Sequence, residues 1–319
     1  MSDQQQQPHG AIFLTGGNGF LGSHVAREAL ADGWRVRALV RPGSDRSLLN
    51  PLRGDALDLI EGQLTDPAEA LASHMAGACV VIHCAAATSE HTNDYALSRR
   101  INVEATRTLG EAARQAGIER FVFVSSQSAH EANHSPYGRT KLEAEATLLA
   151  TGVETVILRP GVIYGPEDRG IFAKMERTLR SLPVVPVIGS GRYLQYPVHV
   201  QDVARACLQA AMAPGAAGRA YGLPGADAIA FIDLLRLLLS ELGLRRPLVP
   251  LPVWMCRIIA TVGERLMPRP PITHSNIEGL LTAPPLDATP AMRDFGYAPR
   301  TLAQGRADVL AARSRSRTK

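Results

Sequence analysis

Tyr137 and Lys141 stand four residues apart in the stretch Pro136-Tyr137-Gly138-Arg139-Thr140-Lys141. If Pro136 opens a helix, where proline is tolerated at the first position, the two side chains lie one turn apart on the same face. An ammonium beside a phenol favours the phenolate and lowers its pKa from about 10. A phenol tuned in this way exchanges a proton with an alcohol or a carbonyl near neutral pH. Composition makes the pair stand out, because only three lysines occur in the chain, at 141, 174 and 319, against 34 Lys and Arg together. Arginine serves a solvated surface well, but its planar, permanently charged guanidinium does not replace a compact ammonium. The alternative is an ordinary exposed helical pair.

Such a pair needs a scaffold, and the first half of the chain alternates strands with helices. Ala11-Ile12-Phe13-Leu14 is a short apolar run leading into Thr15-Gly16-Gly17-Asn18-Gly19-Phe20-Leu21-Gly22, and His24 to Leu30 reads as a helix. Glycines at 16, 19 and 22 permit a tight turn, close approach of backbone N–H groups to a pyrophosphate, and close helix–strand packing. The spacing is G-x-x-G-x-x-G, and the alternative is a tight strand–helix connection with no ligand. The next strand, Val36 to Val40, is where an acid usually meets a free ribose 2′-hydroxyl. Here Arg41 follows, with Arg46 nearby, and arginine neutralises a 2′-phosphate. NADP(H) is therefore favoured, with NAD(H) as the alternative if these arginines are only solvated loop charges.

Further strands are expected at 57–60, 79–83, 121–124 and 155–158, and helices at 67–75, 102–116 and 137–150. Regular alternation of this kind means an α/β fold with a doubly wound parallel sheet of Rossmann type and its ligand over the strand ends. Residues 9–166 are expected to form this dinucleotide-binding domain. After Pro166 the alternation stops. Helices are expected at 171–181, 203–212 and 231–242, the last leucine-rich with a period near 3.6, and 213–218 looks like a linker. Residues 167–312 thus suggest a smaller C-terminal substrate domain, and a cleft between domains is a usual ligand site. The apolar stretch 248–267 is broken by prolines and charges and falls short of the ~20 clean apolar residues of a membrane span. It is expected to be a core or cleft-covering helix, with attachment to a membrane surface or a partner as the less favoured alternative.

Composition bounds the rest. The chain has 319 residues, is 45% hydrophobic and carries a formal charge of +4. Four cations lie within the last seven residues, Arg313 to Lys319, so the body is balanced and nucleic-acid binding is not expected. Residues 1–8 and 313–319 are expected to be disordered. Cys79, Cys84, Cys207 and Cys256 sit singly among apolar neighbours, without metal-ligand spacing, as thiols of a reducing, cytoplasmic compartment. No signal peptide is read at the start.

Taken together, the motifs resemble the extended short-chain dehydrogenases/reductases, the NAD-dependent epimerase/dehydratase family. They are T-G-G-N-G-F-L-G at 15–22, H-C-A-A at 83–86, N-V-E-A-T at 102–106, V-S-S at 124–126, Y-G-R-T-K at 137–141, R-P-G-V-I-Y-G-P at 159–166 and H-V-Q-D-V-A at 199–204. The resemblance covers about the first two thirds of the chain. It implies Tyr137 as catalytic acid/base, Lys141 as the group that lowers its pKa and holds the nicotinamide ribose, and Ser126 as hydrogen-bond partner of the reacting oxygen. It implies Gly16, Gly19, Phe20, Leu21 and Gly22 around the pyrophosphate, and Ala85, Ala86 and Asn102 along the cofactor cleft. Pro160, Gly161 and Val162 would meet the nicotinamide carboxamide. His199 would face the substrate cleft or serve as a buried structural residue, and residues 197–213 would pack back on the first domain. Two departures stand out. Gly62-Gln63 replaces the Gly-Asp that meets adenine in many members, and Gln127-Ser128 replaces the Asp-Glu pair of the 4,6-dehydratases, which argues against dehydration.

The expected function is hydride transfer at a secondary alcohol or carbonyl carbon of a small-molecule substrate, a nucleotide sugar or another carbonyl compound. The rivals are a nucleotide-sugar epimerase that retains its cofactor and a non-catalytic nucleotide-binding subunit or sensor. A homodimer through paired helices is a further implication of the resemblance.

Overall fold

The computed structural model describes residues 10–88, 94–267 and 272–317; the leading residues 1–8 lie outside them. Strands and helices alternate from Ala11 to Pro160. They are β1 (Ala11–Thr15), α1 (Phe20–Ala31), β2 (Arg35–Val40), β3 (Leu57–Glu61), α2 (Ala68–His74), β4 (Ala78–His83), α3 (Tyr95–Arg99), α4 (Ala105–Gln115), β5 (Arg120–Val124), α5 (Pro136–Leu149) and β6 (Thr155–Pro160). A π-helical turn, Arg100–Glu104, joins α3 to α4. Then come β7 (Val162–Tyr164), α6 (Ile171–Ser181), β8 (Val185–Ile188), β9 (Leu194–Gln195), β10 (Pro197–His199), α7 (Val200–Met212), β11 (Arg219–Leu223), β12 (Ile229–Ala230), α8 (Phe231–Glu241) and β13 (Leu248–Leu251). The chain ends with α9 (Val253–Leu266), α10 (His274–Leu281), α11 (Thr289–Phe295) and α12 (Leu302–Arg317).

Seven strands form one parallel sheet in the order β11-β6-β5-β4-β1-β2-β3. Successive side chains on a strand point to opposite faces, and both faces of this sheet are covered. Ile12, Leu14, Val36, Ile82, Val122 and Leu158 enter one core, with Val25 of α1 and Val203 of α7. Phe13, Leu39, Val81, Phe121, Phe123 and Ile157 enter the other, with Leu71, Leu109, Ala144 and Leu148 from α2, α4 and α5. Burial on both faces explains why the strands read as continuous apolar runs. The seventh strand, β11, was assigned no element from the sequence. Its run Arg-Ala-Tyr-Gly-Leu carries only two bulky apolar side chains, Tyr221 and Leu223, and both are buried.

The second half pairs short strands: β7 with β10, β9 with β12, and β8 with β13. Its core gathers Phe172, Leu179, Leu234, Leu235, Leu238 and Leu239 from α6 and α8. Residues 313–317, expected to be disordered, instead continue α12. Arg313 reaches Glu176 at 2.6 Å, and Arg306, three per cent exposed, pairs with Glu176 and Glu241. The first cation of the basic run is thus held by an acid of α6; residues 318 and 319 lie outside the described residues. The apolar stretch 248–267 forms β13 and α9, but only Cys256 and Ala260 of α9 are buried. The expected core helix thus packs through a narrow stripe of small residues. No helix among the described residues is long and apolar enough to cross a membrane.

Candidate active site

Helix α5 starts where its cap fixes it. Ser135 Oγ accepts from the N–H of Gly138 at 3.1 Å, and Pro136 takes the first position, a pairing of cap and proline that suits a helix start. Tyr137 and Lys141 then occupy successive turns. Lys141 is two per cent exposed. Its Nζ donates to the carbonyl of Val124 at 2.7 Å and lies 4.1 Å from the centre of the Phe123 ring. Burial lowers its pKa from 10.5 to about 8, with the Glu145 carboxylate opposing. The ammonium is therefore pinned to the end of β5, two residues before Ser126. Tyr137 and Ser126 are half-buried.

One turn beyond Lys141, the buried Glu145 accepts from Ser125 Oγ and forms a two-point ion pair with Arg159, Nε to Oε1 at 2.9 Å. The two serines thus divide. Ser125 is buried and committed to Glu145, while Ser126, whose Oγ accepts from the Ser128 N–H at 3.1 Å, is the more accessible. Glu145 and Arg159 were not singled out from the sequence. The signal that could have found them is the i, i+4, i+8 series Tyr137, Lys141, Glu145 along one helix face.

The glycine turn adjoins this region through β4. Gly16 has φ +71°, and a Cβ there would lie 2.6 Å from the Ala85 nitrogen. A Cβ on Gly22 would lie 2.1 Å from the Gly16 carbonyl oxygen. The turn therefore needs glycine both for its backbone conformation and for close approach. Gly19 caps α1 with no side-chain hydrogen bond, and Gly19, Phe20 and Leu21 are exposed or half-buried. The first N–H groups of a twelve-residue helix, with no acid in its first turn, make an anion site. A dinucleotide pyrophosphate fits such a cradle.

Two buried polar residues brace the strand ends. His83 lies between Thr15 Oγ1 at 2.5 Å and Thr106 Oγ1 at 3.0 Å and stacks on Phe123. Burial first, and then Lys141, lower its pKa to about 3, so it ties β1, β4 and α4 together as a neutral ring. Asn102, in the π-helical turn, donates to Ala87 O at 2.9 Å and Thr140 Oγ1 at 3.0 Å, and accepts from the Ala87 N–H at 2.7 Å. Both its amide hydrogens are committed, so it fixes the segment with Ala85 and Ala86, both half-buried, against α5. Gly161 donates its N–H to Leu223 O at 3.0 Å, and a Cβ there would lie 1.9 Å from Tyr196 O. Pro160 and Gly161 are buried and Val162 half-buried, between the first sheet and the second half of the chain.

At the other end of the sheet edge, Arg41, Pro42, Gly43, Ser44 and Gln63 line a cleft of about 410 Å³. Arg46 pairs with Glu61, whereas the exposed Arg41 guanidinium has no ion pair or hydrogen bond among the described residues. His199 caps α7, accepting weakly from Gln201 N at 3.4 Å, and is one per cent exposed. Burial, with Arg300 next, pushes its pKa down to about 4.

Residues 12–223 match the model of the NAD dependent epimerase/dehydratase family. The chain is 32% identical to the 4-hydroxy-2-methyl-3-oxo-4-farnesyl-3,4-dihydroquinoline-1-oxide ketoreductase of Stigmatella aurantiaca, over 93% of this chain and 95% of that protein. It is 30% identical to the 2-alkyl-3-oxoalkanoate reductase of Stenotrophomonas maltophilia, over 91% and 94%. Among solved structures, gox2253 superposes with a TM-score of 0.79 at 27% identity, covering 96% of this chain and 98% of that one. MoeE5, solved with UDP-glucose and NAD, gives 0.72 at 26%, covering 96% and 99%. The family match begins in β1 and ends on the last residue of β11, so it takes in the whole seven-stranded sheet: this chain is an oxidoreductase of the NAD dependent epimerase/dehydratase family.

Proposed function

We propose that the protein is an NADP(H)-preferring reductase or dehydrogenase acting on a ketone or secondary alcohol of a lipophilic small molecule. The observation that supports the chemistry is Lys141, buried and bound to the Val124 carbonyl at the end of β5, one helical turn from Tyr137. When bound, the nicotinamide supplies or accepts the hydride. Tyr137 gives a proton to the reacting oxygen in reduction and takes it in oxidation. Lys141 stabilises the phenolate and contacts the ribose. Ser126 donates a hydrogen bond to the reacting oxygen. Glu145, neutralised by Arg159 and held by Ser125, keeps the ends of β5 and β6 in register with α5. Gly16, Gly19 and Gly22 cradle the pyrophosphate, and Arg41 meets the 2′-phosphate.

Two relatives support the substrate class. Both are named for ketone reduction on molecules bearing a farnesyl or an alkyl chain. Cofactor exchange during turnover supports a reductase, whereas cofactor retained through purification would favour a nucleotide-sugar epimerase. The test is Tyr137→Phe, assayed on ketones with long alkyl or prenyl substituents. Turnover should fall about 10²–10⁴-fold, the usual size of a general acid–base contribution, with cofactor affinity nearly unchanged. Full turnover by the phenylalanine variant would mean that the proton comes from elsewhere.

A further inference from the structure

We infer that Glu145 is a positioning residue that acts through Lys141: its buried carboxylate holds the lysine in the ammonium form in which it can serve Tyr137. The two side chains stand four residues apart on α5, one above the other on the same face. They end on consecutive residues at the close of β5. Lys141 Nζ donates to the carbonyl of Val124 at 2.7 Å, and Ser125 Oγ donates to Glu145 Oε1. Both are buried, at 2% and 4% exposure. An ammonium and a carboxylate brought together away from water interact far more strongly than on a surface.

Lys141 needs such a partner. Burial lowers its pKa to about 8, and Glu145 is first among the groups that oppose the fall. Neighbouring elements give little help. His83 of β4 is neutral near pH 7, its pKa lowered to about 3 by burial and then by Lys141 itself, and burial pushes the Cys84 thiol up to about 12. Elsewhere on α5, Arg139 lies over the Tyr95 ring and Glu143 accepts from the Tyr95 hydroxyl. Arg107 and Glu111 of α4 pair with each other, Arg99 of α3 pairs with Glu104, and Glu278 of α10 pairs with Arg257. Arg159 of β6 holds the Glu145 carboxylate in a two-point ion pair, and a symmetric pair would cancel its field at Lys141. This pair is not symmetric. The Glu145 side chain is 5% exposed and that of Arg159 is 32% exposed, so water screens the cation more than the anion. The guanidinium also acts on the loop before α5, where burial first and then Arg159 lower the His130 pKa. The carboxylate is therefore the end of the pair that acts on Lys141. Without it the lysine would lose its proton below pH 8, and a neutral amine does not favour the phenolate of Tyr137. That consequence for catalysis rests on the reaction proposed above.

The test is an NMR titration of Lys141 in the full-length, cofactor-stripped protein. Lysines occur only at 141, 174 and 319, so lysine labelled with ¹³C at Cε gives a spectrum in which Lys141→Met identifies the Lys141 signal. The wild-type midpoint is expected at about 8. In Glu145→Gln it should fall by about one pH unit or more, the size of effect expected for a neighbouring charge. In Arg159→Gln, which leaves the carboxylate to Lys141 alone, it should rise. Both variants break the same ion pair, so both should melt at lower temperature than the wild type. A role in packing alone would loosen the site alike in each and move both midpoints up toward the ordinary 10.5. An unmoved or raised midpoint in Glu145→Gln therefore overturns the inference, and so does a lowered one in Arg159→Gln. If Glu145→Gln does not fold, the direction in Arg159→Gln decides alone. Glu145→Asp keeps the charge and should titrate closer to the wild type than Glu145→Gln does. In turnover, a midpoint lowered from about 8 to about 7 cuts the charged fraction at pH 8 from about a half to about a tenth. The kcat/KM of Glu145→Gln at that pH should then be about fivefold lower relative to its own value at pH 6 than for the wild type. The titration uses no substrate, so its failure leaves the proposed reaction untouched. A protein whose Lys141 titrates as expected but which reduces no lipophilic ketone would fail only the substrate assignment.

Discussion

Replacing Lys141 by methionine should make the cofactor-free protein more stable while it inactivates the enzyme. Lys141 is two per cent exposed, and burial lowers its pKa from 10.5 to about 8. At pH 7 the side chain is an ammonium in both the folded and the unfolded chain, so the folded state alone bears the desolvation. A shift from 10.5 to about 8 corresponds to about 3 kcal/mol. Methionine removes that penalty and keeps the length of the side chain. Its sulfur replaces the ammonium over the Phe123 ring with a contact of comparable worth. It loses the hydrogen bond to Val124 O, worth about 1 kcal/mol. The balance is about 2 kcal/mol in favour of the variant, roughly 3 °C in melting temperature for a chain of this length.

The pH dependence fixes the sign. A lysine with a depressed folded pKa penalises the folded state fully below that pKa, here about 8. Between about 8 and 10.5 the folded chain gives up its proton while the unfolded chain keeps it, so wild-type stability rises relative to the variant. Above 10.5 the penalty is gone, and the hydrogen bond to Val124 O that the variant lacks is what remains in favour of the wild type. Thermal melts of both cofactor-stripped proteins at pH 7 and at pH 10.5 should therefore show a gap that closes. A methionine variant less stable than wild type at pH 7 would refute this reasoning and make Lys141 a structural anchor.

Other expectations concern the cofactor cradle and pH. Arg41→Ala should weaken NADP(H) by about 1.5–3 kcal/mol and barely change NAD(H). Arg46→Ala should do less, since Arg46 is paired with Glu61; equal losses for both cofactors in a calorimetric titration would remove the 2′-phosphate assignment. Gly16→Ala combines φ +71° with a backbone clash at 2.6 Å. It should cost over ~2 kcal/mol of stability and abolish cofactor binding. Gly17→Ala, whose new methyl meets only the Leu14 and Ala38 side chains at 3.2 and 3.3 Å, should cost far less by the same melts. Finally, kcat/KM should decline above about pH 8 as Lys141 of the free enzyme loses its proton; a profile flat to pH 10 would contradict that.

How much of this was legible in the sequence depended on whether a signal was local. The strands β1 to β6 are short apolar runs flanked by glycine, serine or charge, and a strand buried on both faces needs no partner to be recognised. The glycine turn and the Tyr137–Lys141 spacing are likewise contained within a few residues. Glu145 and Arg159 were missed because their meaning lies in a contact between a helix and a strand fourteen residues apart. β11 was missed because its strand character comes from pairing with β6 across the chain. β9 and β12 have two residues each, too few to show any period. Residues 313–317 were misjudged because a basic run looks solvated until Glu176 is known to face Arg313.

Buried polar groups near the candidate site differ in how far protein partners meet them. His83, Asn102 and Glu145 are buried, and each has its hydrogen-bonding capacity largely met by protein partners. Nothing in that network asks for a ligand. The loop between Ser126 and Tyr137 is different. Gln127 Oε1, His130 Nε2 and Asn133 Nδ2 are all buried there without a hydrogen-bond partner. Each buried polar atom left unmet costs about 1–3 kcal/mol, and such costs persist in folded proteins where function requires them. A mutation in the first group should act through the fold, since it breaks a completed contact between elements. Replacing Gln127 or His130 removes no existing contact of those atoms, so the effect on stability should be small, whereas Asn133 also accepts the Ser135 N–H through its Oδ1 at 3.0 Å, so its replacement should loosen the start of α5.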